Sequence, residues 1–139
     1  MSLKNKVIFF QIKDVKIKLL KLIQVAIGHF EKKERLIIQV QNDISLNFVD
    51  ELLWKSPKES FLPHVISDKQ TNDFIVITKL KKNLNKAHFM FNLCYDLIEL
   101  DKSYKIIYDF DDCTSLKNQQ NSQKKYQIYR QAGFIIENK

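Results

Sequence analysis

At 139 residues the chain is sized for one domain, 1–139, with a substantial core, and its apolar (45%) and charged (28%) fractions are ordinary for a soluble globular protein. Its apolar runs are far too short to span a bilayer, and Cys94 and Cys113 have neither metal-ligand spacing nor the makings of a disulfide framework, which excludes a membrane-spanning or disulfide-stapled protein. The net charge of +7 invites a nucleic-acid reading, yet only Arg35 and Arg130 among the 23 basic residues are arginines. Phosphate forks and base edges favour arginine, so the scattered lysines read as a solvated surface that would attract an acidic protein partner.

In chain order, Met1–Lys6 runs straight into a strand-like segment with no small-residue cleavage site, so no signal peptide and a cytoplasmic location are expected. Val7-Ile8-Phe9-Phe10 is a short apolar run without polar alternation and predicts a buried strand. Asp14 is the expected N-cap of a helix whose buried stripe is Leu19, Leu22, Ile23, Ala26 and Phe30. His29 then sits as a polar residue at that helix's carboxyl end. Leu36-Ile37-Ile38-Gln39-Val40 predicts a second strand, and Asp43 a cap for a second helix with Leu46, Val49, Leu52 and Leu53 inside.

The stretch from Trp54 to His64 holds the only tryptophan and both prolines, Pro57 and Pro63, which stop the helix and stiffen a connector around Phe61. A surface connector with Trp and Phe is either packed on its own core or made for a partner. Phe74–Thr78, Phe89–Leu93 and Tyr104–Tyr108 predict further strands, with a polar connection over Lys79–Lys86. Cys94–Lys102 reads equally as a helical turn or a loop. Asp109-Phe110-Asp111-Asp112 leads into a helix from about Ser115 to Ala132, ended by Gly133, with a last short strand at Phe134-Ile135-Ile136. Alternating strands and helices predict an α/β fold with a mostly parallel central sheet and helices on both faces.

Chemistry is sparse. Gly28 and Gly133 are the only glycines, and the first strand-to-helix turn, Gln11-Ile12-Lys13-Asp14, has none, so no phosphate-binding loop and no cofactor are expected. Asp109, Asp111 and Asp112 could hold a hard metal, but acidic residues ahead of a helix more simply cap it. Cys94 follows a buried-strand pattern and reads as core, and His64 reads as a hydrogen-bonding residue that holds the connector. No catalytic constellation emerges.

Leu53-Trp54 followed by Ser60-Phe61-Leu62-Pro63-His64 resembles the central signature of the chi subunit of bacterial DNA polymerase III. Tyr126-Gln127-Ile128-Tyr129-Arg130-Gln131-Ala132-Gly133-Phe134 resembles the family's closing helix and Gly-Phe turn, and Val7–Phe10 its opening strand. The resemblance implies a Rossmann-like fold without a nucleotide site and a non-catalytic adaptor of the replicative polymerase. Such adaptors link the clamp loader, through a psi subunit where present, to the acidic, aromatic-ended C-terminal tail of single-stranded DNA-binding protein. Some bind a helicase through the psi surface. By the same resemblance, Trp54, Phe61, Pro63 and His64 form the psi or helicase patch. The tail site falls on Gln123, Lys124, Lys125, Tyr126, Gln127 and Arg130. Of these, Gln123, Gln127 and Arg130 share one helix face by spacing alone. Gln123 and Gln127 stand where the best-known members carry basic residues. Direct DNA binding is expected to be weak or absent. The alternative classes are a basic single-stranded nucleic-acid-binding domain, on charge alone, and a small metal-dependent hydrolase built on Asp109, Asp111, Asp112 and His64.

Overall fold

A computed structural model describes residues 5–55, 62–96 and 100–139. In chain order the elements are β1 (Lys6–Ile12), α1 (Val15–Glu31), β2 (Leu36–Gln39), α2 (Asp43–Lys55), β3 (Val65–Ile66), β4 (Ile75–Thr78), β5 (Phe89–Asn92), β6 (Ile106–Asp112), α3 (Leu116–Gln131) and β7 (Ile135–Asn138). The strands form one sheet in the order β3-β4-β2-β5-β6-β1-β7, and every pairing is parallel.

Alternation along the strands divides the core into two layers. Ile8, Phe10, Ile38, Phe91 and Phe110 face α1 and α2 and meet Leu22, Ala26, Leu46 and Val49. Val7, Phe9, Ile37, Met90 and Ile107 face the other way, against Tyr129 of α3, Phe134 and Tyr104. The connection over Lys79–Lys86, polar by composition, contributes to this second layer, since Leu84 beside its end and Ala87 are buried. Asn85 fastens it by donating to the carbonyls of Leu36 and Asp73, both at 3.2 Å.

The helix ends follow local chemistry. Asp14 caps α1 by accepting from the Lys16 amide at 2.6 Å. For α2 the capping side chain is Asn42, one residue before the expected Asp43: its Oδ1 accepts from Ser45 N at 2.9 Å, while Asp43 pairs with Lys79 at 2.6 Å. Ser115 caps α3. Gly133, at φ +91°, closes it as the sequence predicts. The Gly133 and Phe134 amides return to the carbonyls of Arg130 and Tyr129, both at 3.1 Å, which satisfies the last turn.

Two expectations change. The strand predicted at Tyr104–Tyr108 is Ile106–Asp112, because it follows β1 in register from Lys6↔Ile106 to Ile12↔Asp112. Asp109, Asp111 and Asp112 therefore belong to the sheet and do not cap α3. The two-residue β3, with no sequence signal of its own, exists through its pairing with Val76 and Ile77. Within the segment Cys94–Lys102, residues 97–99 lie outside the described residues.

Candidate functional site

An α-helix turns about 100° per residue, which decides how the predicted tail residues are sorted on α3. Gln123, Gln127 and Arg130 do share one exposed face, and Lys124 is exposed beside it. Tyr126 sits at the margin of that face, half-buried, its ring edge-on to Phe9 of β1 at 6.1 Å between centroids. Such a ring is anchored on one side and open on the other, while Arg130 supplies a planar, charged fork close by.

Lys125 is not part of that face. Two residues past Gln123, it points inward with only 8% of its surface exposed. Its ammonium donates to Asp109 Oδ1 at 2.6 Å and to the Cys94 carbonyl at 3.3 Å. The Asp109 carboxylate also accepts from the Phe110 amide (2.7 Å), the Tyr129 hydroxyl (2.6 Å) and Asn92 Nδ2 (3.1 Å). Burial first, then the neighbouring carboxylate, pushes the Tyr129 hydroxyl well above its usual range, so it remains a donor. Sequence reading missed this cluster. The available signal was an aspartate inside an apolar strand run, Ile106–Phe110, together with Lys125 and Tyr129 at i, i+4 on one helix.

In the predicted psi or helicase patch, Trp54 is 48% exposed at the end of α2. Its Nε1 donates to Asp50 Oδ1 at 3.1 Å, one turn back, and its ring lies 4.1 Å from that of His64. His64 is buried: Nδ1 lies 2.8 Å from the Leu62 carbonyl, and Nε2 lies 3.0 Å from Asp50 Oδ1. It supports Trp54 from beneath and presents no surface of its own. Pro63 is half-buried beside it, and Phe61 lies outside the described residues.

The remaining candidates are engaged structurally. Burial, opposed in part by Glu34, lowers the pKa of His29. In the last turn of α1, where the sequence puts it, its ring bridges Glu34 (3.0 Å) and the Tyr108 hydroxyl (2.8 Å) and so is also tied to the core. Burial raises the Cys94 thiol, the wrong direction for a nucleophile. Burial alone would raise the Asp112 carboxyl, but Lys18 and Thr114 together hold it below its ordinary value. Asp109 has all four of its strongest acceptor positions filled, so it has no lone pair to give a metal. Among the described residues no group of three His, Cys, Asp or Glu is placed to hold one. No helix among them is long and apolar enough to cross a membrane.

Compared with known proteins, the family model for the DNA polymerase III chi subunit, HolC, matches residues 5–137. No curated protein matches the chain.

Proposed function

The chain belongs to the DNA polymerase III chi subunit family, which places it among the accessory proteins of the replicative polymerase holoenzyme, and on that premise we propose that it is a non-catalytic adaptor. One surface, around Trp54 and Pro63, engages the psi subunit of the clamp loader or a helicase. The other, the outer face of α3, holds the acidic C-terminal tail of single-stranded DNA-binding protein.

The observation that carries this proposal is the outer face of α3, where Arg130 lies one turn beyond the half-open ring of Tyr126 and Lys124 is exposed at the opposite margin of the same face. A tail that ends in a ring and a carboxylate needs an apolar ledge and a cation with a planar fork. Gln123 and Gln127 add hydrogen-bonding groups without charge. Lys125 serves the site from below, by fixing α3 on the sheet through Asp109. An adaptor role is further supported by the engagement of Asp109, Asp112 and His64 in internal hydrogen bonds and by the burial of Cys94.

The test is titration of the folded chain with the C-terminal peptide of the organism's own single-stranded DNA-binding protein. Binding should be saturable, and most of it should vanish when the last residue of the peptide is removed. Single-stranded DNA alone should bind weakly at physiological salt. Tight binding of DNA without the peptide's parent protein, or no binding of the peptide, would overturn the proposal.

A further inference from the structure

The carboxyl edge of the sheet holds a cleft of about 330 Å³ that neither proposed partner surface uses. Its position follows from the topology. β2 leads into α2 over one face of the sheet, and β6 leads into α3 over the other. β5 lies between β2 and β6. The chain thus leaves in opposite directions on the two sides of β5 and opens a crevice beyond its end. Ligands of open α/β sheets bind at such points.

The walls are apolar: Leu19 and Leu22 of α1, Phe48 and Val49 of α2, Leu93 and Phe110. At the mouth, Val15, Ile44, Phe48 and Tyr95 are each more than half exposed. Large side chains exposed around an apolar cleft mark a binding site more often than a plain surface.

Its buried polar lining is Asn92, Asp109, Asp112, Ser122 and Lys125. The Asp109 carboxylate is saturated by its four donors. The Lys125 ammonium has three protons and spends two, on Asp109 and on the Cys94 carbonyl. Asn121 also lines the cleft, and its amide has no partner among the described residues. The other lining carboxylate, Asp112, is bound to Lys18 at 2.7 Å and to Thr114. The cleft thus has donors to offer and no free anion. A phosphate would find little: side chains of Asp14, Asn42 and Ser115 already occupy first-turn amides of the three helices, and no glycine lets it approach the backbone.

We propose that this cleft is a ligand site for a small organic carboxylate with a flat apolar body. The body lies between the α1 and α2 walls, and the carboxylate takes the third Lys125 proton and the Asn121 amide. The charge-assisted bond favours a carboxylate over a neutral carbonyl.

The experiment uses 2-naphthoate as probe, followed by ¹H–¹⁵N spectra of the full ¹⁵N-labelled chain. Saturable shifts should centre on the amides of Ile44–Val49 and Asn92–Tyr95. The neutral 2-naphthamide should bind about tenfold more weakly, equivalent to about 1.4 kcal/mol. Phe48→Asp, an exposed position at the mouth, should weaken 2-naphthoate at least tenfold, and Arg130→Ala should leave it unchanged. Because the tail peptide uses the outer face of α3, Phe48→Asp should still bind that peptide, so the two proposals fail separately. Absence of saturable shifts at millimolar probe, shifts confined to the outer face of α3, or undiminished binding by a folded Phe48→Asp chain would each overturn the site. Should Phe48→Asp not fold, the location of the wild-type shifts and the naphthamide comparison decide.

Discussion

Lys125→Met tests how the two sides of α3 are held apart. The substitution keeps the stem and removes the ammonium, leaving Asp109 with 1% of its side chain exposed and no counter-charge. Breaking a buried pair by removing one partner costs about 3–5 kcal/mol. Tyr129, Asn92 and the Phe110 amide still donate to the carboxylate, which places the loss near the lower end, about 3 kcal/mol. At about 2.1 cal/mol/K per residue, a 139-residue chain has an unfolding entropy of roughly 0.29 kcal/mol/K, so Tm should fall by about 10 °C. The assay is urea unfolding at neutral pH, where the midpoint should move with the slope unchanged. Asp109→Asn in the same chain removes the stranded charge, so the double variant should be more stable than the two single losses added together. A Lys125→Met loss below about 1 kcal/mol, or strict additivity in the double variant, would show that the pair is not the buried tether described.

On the outer face, Arg130→Ala should weaken the tail peptide about tenfold to a hundredfold, the equivalent of roughly 1.5–3 kcal/mol for a charged hydrogen bond, with unfolding unchanged; calorimetric titration reads both peptide forms. Lys124→Ala should cost less and lose its effect in added salt, while Gln127→Lys should tighten binding, and a peptide indifferent to all three would move the site elsewhere. Trp54→Ala should weaken a psi-like or helicase partner in a pull-down with purified components and leave the tail affinity intact; loss of both together would mean that the substitution damages the fold. For His29, burial holds the folded pKa below the ordinary 6.5 although Glu34 opposes it, so the unfolded chain takes up the proton first. That contribution is complete above about pH 6.5 and is lost as pH falls through the lower folded value, so stability should fall as the pH drops below about 6.5, and less steeply in His29→Gln, as urea midpoints would show.

Much of the architecture was legible in the residues because it rests on local rules. Short unbroken apolar runs mark β1 and β2, helical apolar spacing marks α1 and α2, Asp14 and Gly133 mark helix ends by backbone chemistry, and the alternation of elements implies a parallel sheet. The exposed face of Gln123, Gln127 and Arg130 follows from helix geometry alone. What needed the tertiary structure is what depends on pairing across the chain. β3 has too few residues to carry a pattern and forms only because β4 supplies its hydrogen bonds. Asp109 looked like the start of a helix cap, but register with β1 draws it into the sheet, where Lys125, Tyr129, Asn92 and the Phe110 amide make its charge tolerable. Lys125 is indistinguishable in sequence from Lys124, yet one step of helical rotation places it in the core and its neighbour in water. The cleft beyond β5 arises from the order of strands in the sheet, a long-range property that no local window of sequence contains.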